Sequence, residues 1–541
     1  MAWELVNGTV VTPRDVLERG SLTIDKARIA QVSKSSRKSQ DAMQIDVNGM
    51  LIFPGLINCH DHLLGTYVPR VGDRRPYLNW LEWDNDLKSS PAYAERQQID
   101  SSDLYLLGGY RHLLCGITRV QDHIPHFVRE AFAKNMPIRI ISDFAMAHSV
   151  TSYALKWGDG IEAEHTKAKE KNIPFITHCS EGFDEETLKS VETLAAKKAL
   201  SKQTVLIHGI AFSDSDIELL AQNKCNVVWC PVSNLYMFEQ TARVKELMDA
   251  GVNVCLGTDS PMSGSFSIFE ELRTAREFYR YAYGRDIDDR VLVDMLTVNA
   301  ARAMCLPDAG EIAEGKAADL LLIDGSSANP WASLTHADYA DVMLVIADGL
   351  PRYGDIAFAP VFEAMSIPYQ NILVKGARKI IAGDVLESRS EKEIVIYVGE
   401  KALLETVTGY HLHQGAMAVG KIPRQQTLDE LLACSPRPLL IAAAEGIAST
   451  ENLGALVRSA AAFGTHFLIV GETCVSPLQR RAVSGSMGTI FQQPFVQTEN
   501  LVGALQTLKA SGVRCFAAHL SADAKKLSTV DLHGDCCIVF G

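Results

Sequence analysis

Leu51 to Gly65 reads LIFPGLINCHDHLLG, and the interpretation of the whole chain turns on this stretch. The run is apolar and rich in β-formers, is interrupted by Pro54-Gly55 and ends in His60-Asp61-His62. That is the pattern of a buried strand whose C-terminal end carries two imidazoles. Side chains two apart on a strand face the same way, so His60 and His62 can reach one metal ion together. One such pair decides little, because isolated histidines on apolar strands are commonly satisfied core residues.

Downstream, strand-like runs alternate with helical patterns. Runs of the first kind occupy Gly116 to Gln121, Ile138 to Phe144, Ile173 to Thr177, Val205 to Ile207, Val227 to Cys230 and Val252 to Leu256, while Glu185 to Ala199 and Asp214 to Gln222 have helical period and composition. Alternation over about 250 residues predicts a parallel (β/α)8 barrel whose active site lies at the C-terminal ends of its strands. Seven strands can be assigned; for the fourth only Val150 to Lys171 is left, and much of that reads helical.

Chemistry-bearing residues gather at those strand ends. His60 and His62 close the first strand, His178 ends IPFITH, His208 ends VLIH and Asp259 follows the last in LGTD. A barrel brings them to one mouth, in the number and type of donors that a catalytic Zn²⁺ or Fe²⁺ takes while keeping a position open for water. Each alone has an ordinary reading: His178 and His208 as core residues, Asp259 as a helix N-cap ahead of Pro261. Five together at the predicted catalytic face do not.

The motifs PGLINCHDH, THCSE, VLIHG, CPVSNL and LGTDS, followed by GEIAEGKAADLLLID, resemble the amidohydrolase superfamily from Met1 to about Leu386, in its branch of cytosine, guanine, adenosine and S-adenosylhomocysteine deaminases and triazine hydrolases. The resemblance implies a distorted (β/α)8 TIM barrel over residues 55–311. It also implies a small composite β-sandwich from both ends of the hydrolase part, residues 1–54 and 312–388. That accounts for the short strands Trp3 to Val6, Val10-Val11, Leu22 to Ile24 and Ile29 to Val32, which cannot bury a core by themselves. Their expected partners are Ala317 to Ile323, Val342 to Ile346 and Ile372 to Val374.

The expected reaction is hydrolysis of a C–N bond, foremost deamination of an amino-substituted heterocycle by metal-activated water. His60, His62, His178 and Asp259 are the expected metal ligands, and Asp259 also accepts the water proton. Glu181, three residues after His178, is placed to shuttle a proton to a ring nitrogen and then to the leaving amine; the resemblance gives the same role to the glutamate of the HxxE motif and a hydrogen bond to the attacking oxygen or the substrate to His208. One divalent metal is expected, zinc before iron: no lysine sits convincingly on the fourth strand as a carbamylated bridge, although Lys156 and Lys167 lie nearby. Trp80, Trp83, His123, His148, Asn234 and Arg273 are weaker candidates around the site. The interval between strands three and five is short for this branch, which leaves the leaving group open; an amide or another leaving group is the alternative.

After a polar joint, Ser388 to Lys392, the pattern restarts. Strands at Leu439 to Ala444, Phe467 to Val470, Val513 to Ala517 and Cys536 to Phe540 alternate with helical periods at Glu451 to Phe463, Pro477 to Ser484 and Leu501 to Ala510, the mark of a doubly wound α/β domain over residues 389–541. ENLGALVRSAAAFG resembles the first motif of the SpoU-type RNA ribose methyltransferases. Asn452 and Arg458 match positions that line the RNA 2′-hydroxyl site; six residues apart on a helix they fall at roughly 600°, so both point inward only if the helix start is irregular. In that family a glycine-rich turn and a later loop beyond the position of Gly541 complete the S-adenosylmethionine pocket and a knot, so an incomplete, unknotted domain that binds no S-adenosylmethionine is expected of these residues. The rival reading takes the protein for an RNA-modification or RNA-binding protein with the barrel as scaffold.

Composition narrows the class. Hydrophobic residues make up 47% of 541 and charged residues 22%, a globular balance with room for several cores. Of the net charge of −13, residues 391–541 carry −1 and the first 390 carry −12, which argues against a general nucleic-acid binder. Twelve cysteines without a CxxC framework suit buried free thiols. No apolar run approaches the roughly 18 residues that span a bilayer, and no secretory signal pattern opens the chain. A cytoplasmic homo-oligomer acting on a small heterocycle is the expectation, with RNA a lesser partner and no membrane contact.

Overall fold

The computed structural model describes residues 2–12, 15–34, 43–72, 74–133, 136–383, 397–398, 426–518, 524–526 and 529–541. The chain forms two compact units, Met1–Ala416 and Met417–Gly541. The joint expected at Ser388 to Lys392 lies outside the described residues. Among the described residues no helix is long and apolar enough to cross a membrane.

In the first unit, β1 (Trp3–Val11), β2 (Val16–Asp25), β3 (Arg28–Ser33), β4 (Met43–Asp46) and β5 (Leu51–Pro54) precede the barrel strands β6 (Leu56–Asp61), β7 (Ile117–Asp122), β8 (Arg139–Ile140), β9 (Ala145–Ser149), β10 (Phe175–Cys179), β11 (Thr204–His208), β12 (Asn226–Trp229) and β13 (Asn253–Leu256). The barrel is followed by β14 (Leu320–Ile323), β15 (Val342–Ala347), β16 (Leu350–Asp355), β17 (Tyr369–Val374), β18 (Ala377–Ala382) and β19 (Tyr397–Val398). The strands outside the barrel join one eleven-stranded sheet in the order β19-β17-β18-β16-β15-β14-β5-β1-β2-β3, with β4 on β1. Both ends of the hydrolase part therefore meet, as the orphan strands required. Trp3 to Val11 is one strand rather than two; its register on β2 slips around Gly8, where Asn7 adopts φ +59°, and this bulge breaks the alternation.

The opening stretch is divided between the two layers. Leu51–Pro54 pairs with β1 and β14 in the outer sheet, and Leu56–Asp61 begins the barrel beside β7. Gly55 permits the crossing: a Cβ there would lie 2.4 Å from the Thr118 hydroxyl. The barrel itself consists of a parallel three-stranded part, β6-β7-β8, and a parallel five-stranded part, β13-β12-β11-β10-β9. They meet at a parallel bridge between Asp61 and Asp259. No ladder joins β8 to β9 among the described residues, so the cylinder is open at that seam. The fourth strand is thus Ala145–Ser149, upstream of the segment expected to hold it: strands three and four follow each other without an intervening helix, only four residues apart. The helical stretch Glu185 to Ala199 is two short helices, Glu185–Leu188 and Ser190–Ala196, divided at Lys189. Ile57, Cys59, Ile176, Ile207, Val228 and Cys255 belong to one buried apolar cluster in the barrel, a filled core beneath the strand ends.

The second unit is a parallel sheet in the order β22-β21-β20-β24-β23, formed by β20 (Leu440–Ala444), β21 (Phe467–Val470), β22 (Phe495–Gln497), β23 (Arg514–Ala518) and β24 (Cys536–Phe540). Its main helices are Thr450–Ala462 and Leu501–Ala510. The expected helix Pro477 to Ser484 is confined to Arg480–Gly485. The strand Phe495–Gln497 and the helix Leu428–Cys434 had no reading in the sequence, being too short to display a period. The twelve cysteines are all free.

Candidate metal centre

Three imidazoles converge at the C-terminal end of β6 and β10. One ring nitrogen each from His60, His62 and His178 lies within 4.8 Å of the others, and a second such group joins His178, Glu181 and His208. Asp259 Oδ1 is 3.4 Å from His60 Nε2 and 3.5 Å from His62 Nε2. Its other oxygen accepts from the hydroxyls of Ser233 and Ser263, both at 2.6 Å, so the carboxylate is held with one oxygen toward the histidines. The four expected ligands and the two further catalytic candidates, Glu181 and His208, are therefore one constellation.

Hydrogen bonds orient the rings. His178 Nδ1 stands 2.7 Å from the carbonyl oxygen of His148, and His208 Nδ1 stands 2.8 Å from Asn234 Oδ1; each proton sits on Nδ1 and leaves Nε2 with its lone pair. Buried His60 has no hydrogen-bond partner on either ring nitrogen. Polar atoms left without partners in a core are costly, and a cation amid these donors removes that cost. Three imidazoles and a carboxylate fit a divalent ion with an open position.

Electrostatics favour the same occupant. Burial, then repulsion from His60, lowers the pKa of His62 to about 4. Burial lowers His208 to about 4 against the opposing Asp259 carboxylate. His178 is held well below the usual range by burial and neighbouring rings. His62, His178 and His208 are thereby held neutral near pH 7, the form that ligates a metal. Burial opposes ionisation of the Asp259 carboxyl, but the close approach of His60, His62 and His208 outweighs it and holds the group well below the usual carboxylate range. Glu181 goes the other way: burial, then Asp259 and Asp84, push its pKa well above the ordinary carboxyl value. Strain marks the site as well, with Ser180, His208 and Asp259 at φ +50°, +74° and +56°, a left-handed backbone that persists only where surroundings enforce it.

Glu181 is also fixed from above. Trp80 N donates to the Glu181 carbonyl oxygen at 3.3 Å, and Asn79 and Gly182 form an antiparallel bridge. Gly182, at φ +146°, would place a Cβ 2.6 Å from the Leu78 carbonyl oxygen. Gly182→Ala is expected to push the Leu78–Trp80 segment away, lowering Tm by several degrees and raising KM more than the metal requirement changes; unaltered Tm and KM would contradict the tight approach.

The weaker candidates separate. Trp80 is buried with its ring centroid 4.5 Å from that of His148, and its indole N–H lacks a partner. His123 is buried 4.5 Å from the His178 ring, both nitrogens unpartnered. Trp83 instead donates to the Val71 carbonyl oxygen and packs on an apolar cluster with Tyr77 and Phe238. Asn234 orients His208. Arg273 is not in the site: on the helix Ile268–Tyr283 it is exposed while Glu271 and Leu272 are buried. β9 bears no lysine, and Lys167 pairs with Glu164 at 3.5 Å on the helix Ile161–Lys171.

Glu271 escaped the sequence reading. It accepts from Val232 N at 3.1 Å and from the Ser265 hydroxyl at 2.5 Å, and burial raises its pKa to about 8. A carboxyl with a raised folded-state pKa stabilises below its unfolded pKa and loses that contribution as pH rises toward 8. Glu271→Gln is therefore expected to flatten the decline of Tm between pH 5 and 8; an identical pH profile in both proteins would contradict it.

In the second unit the helix Thr450–Ala462 is regular from its N-cap Ser449, whose hydroxyl accepts from Asn452 N. Asn452 and Arg458 are both exposed, so the irregular start that would turn both inward does not occur. Arg458 Nη1 reaches Met487 Sδ at 3.3 Å.

Comparison with known proteins follows the division into units. Residues 145–351 match the Amidohydrolase family, and residues 439–541 match the SpoU rRNA Methylase family. The chain is 30% identical over 363 residues to a 5′-deoxyadenosine deaminase of Methanothrix thermoacetophila, covering 60% of this chain and 84% of the relative. The chain belongs to the amidohydrolase family. Its fold is similar to that of a triazine hydrolase from Arthrobacter aurescens (TM-score 0.56, 21% identity, 65% of this chain and 94% of the other). It is also similar to that of an adenosine deaminase from Xanthomonas campestris with bound zinc (TM-score 0.53, 20% identity, 65% and 92%). This amidohydrolase is a metal-dependent hydrolase with a distorted TIM barrel and composite β-sandwich, followed by a SpoU-like α/β domain.

Proposed function

We propose that the first unit removes an exocyclic amino group from an adenine nucleoside by hydrolysis, with one zinc ion held by His60, His62, His178 and Asp259. The observation that supports this most is the buried acid Glu181, 3.5 Å from His208 Nε2 and beside the ligand group. The substrate class follows the 5′-deoxyadenosine deaminase relative. A divalent ion at these donors supplies a Lewis acid that brings the pKa of water toward neutrality.

The chain's own residues supply the proton traffic. Asp259, ionised and fixed by two serines, takes a proton from the attacking water. Glu181, protonated in its buried setting, donates to the ring nitrogen next to the carbon that carries the amine; Asp259 then passes the proton taken from water to the amine, which leaves as ammonia, while the hydroxyl proton of the collapsing adduct returns to Glu181. His208, with Nδ1 committed to Asn234, presents Nε2 toward the attacking oxygen. Trp80 and His148 wall the heterocycle and exclude water. Water is consumed and ammonia released, one of each per turnover. Metal analysis of the purified protein with ammonia release from adenosine, 5′-deoxyadenosine, aminopyrimidines and pterins tests the reading: one metal per chain and release from an adenine nucleoside are expected, and metal-loaded protein that releases none from any of them would overturn it.

A further inference from the structure

The histidine pair and Asp259 come from the first and last strands of the barrel, yet no regular ladder joins those strands at the level of the ligands. Asp259 is in the left-handed region, and a residue there turns its chain out of strand geometry. The junction consists of one bridge, Asp61 to Asp259, and three backbone hydrogen bonds: Thr258 N and Asp259 N to the His60 carbonyl oxygen, both 3.1 Å, and His62 N to the Asp259 carbonyl oxygen, 2.7 Å.

Side chains take over where the ladder fails. Asp61, between the two histidines and fully buried, accepts from the Thr258 hydroxyl, and one nitrogen of Arg111, Nη2, lies 2.7 and 2.8 Å from its two oxygens. Asn58 Oδ1 accepts from His60 N at 3.3 Å and Thr258 N at 3.2 Å, and Asn58 Nδ2 donates to the Thr258 hydroxyl at 2.6 Å. Arg111 comes from the helix Ser101–Leu113 and is itself buried; its Nη1 also approaches the carbonyl oxygens of Ser265 and Phe266, on the segment after Asp259. Burying an ion pair carries a desolvation cost that a pair of apolar residues avoids, so simple packing of this helix does not call for it. A carboxylate that grips the residue before Asp259, held from below by a cation that reaches the residues after it, does.

We infer that the buried Asp61–Arg111 pair, acting through Thr258, is a positioning device that sets the distance between His60-His62 and Asp259 across the barrel's closing junction. All three residues are buried, Asp61, Arg111 and Thr258 alike. The inference rests on the proposed ligand set, and the two fail separately: a parent protein that takes up no metal refutes the ligand set and the inference with it, whereas the inference alone fails in the variants.

Two variants decide it. Thr258→Val removes one hydroxyl and keeps shape; Asp61→Asn/Arg111→Met removes both charges so that neither is left buried and unpaired. The full chain is stripped and reloaded with Co²⁺, and Tm, Co²⁺ affinity by chelator competition and the visible Co²⁺ spectrum are recorded. Outer partners of metal ligands are worth about 10–100-fold in affinity, so a folded variant is expected to bind Co²⁺ at least about 10-fold more weakly, with a changed spectrum. A folded variant with the parent affinity and spectrum would overturn the inference. Should the double variant fail to fold, Thr258→Val alone carries the decision on the same criteria.

Discussion

His178→Ala is expected to leave the first unit folded but nearly empty of metal, with activity lost in proportion. His178 is the one histidine shared by both donor groups at the site, and its orientation is set by the hydrogen bond to the His148 carbonyl oxygen. Outer partners alone are worth about 10–100-fold in metal affinity, so loss of a direct ligand should exceed about 100-fold. The alanine also removes a buried ring and leaves a cavity, costing about 2 kcal/mol or more of stability; Tm is therefore measured beside metal content. Full metal occupancy in a folded His178→Ala protein would refute the ligand assignment.

Glu181→Gln is expected to retain the metal while turnover falls by about 10²-fold or more, the usual worth of a positioned acid or base. The substitution keeps the shape and the contact of Trp80 with the Glu181 main chain but abolishes the group that titrates. KM should change far less than kcat, because the lost interaction belongs to the proton transfer. A Glu181→Gln protein that deaminates an adenine nucleoside at the parent rate would remove Glu181 from the mechanism and favour hydrolysis driven by metal and water alone.

The parts of this site that could be read from sequence are those whose signal is local. His60-Asp61-His62, His178 and His208 lie at the ends of apolar strands and Asp259 follows the last one closely, and strand ends converge in a barrel whatever its loops do. The fourth strand is hidden because Arg139–Ile140 and Ala145–Ser149 are separated by only four residues, Ser142-Asp143 among them, with no helix between the two strands. The first strand was split in two by the bulge at Asn7-Gly8, which breaks the period of two on which strand recognition depends.

The supporting residues were invisible for another reason. Asp61, Arg111 and Thr258 are far apart in sequence, and a charged residue between two histidines or in the last turn of a helix ordinarily reads as solvent-facing. Only the folded barrel shows that Asp61 and Arg111 are buried against each other. Glu271 is of the same kind, a carboxyl whose burial follows from packing rather than pattern. In the second unit Asn452 and Arg458 match a motif, and the regular helix that carries them leaves both exposed.

The most direct test of hydrolytic deamination is turnover of an adenine nucleoside by the metal-loaded protein in H₂¹⁸O, followed by mass spectrometry of the product and quantitation of ammonia. The account predicts one ammonia per product molecule and one ¹⁸O at the ring carbon that carried the amine, both lost when the metal is removed and restored when it is returned. A product that keeps its amine, or ammonia released at the same rate by the metal-free protein, would contradict it.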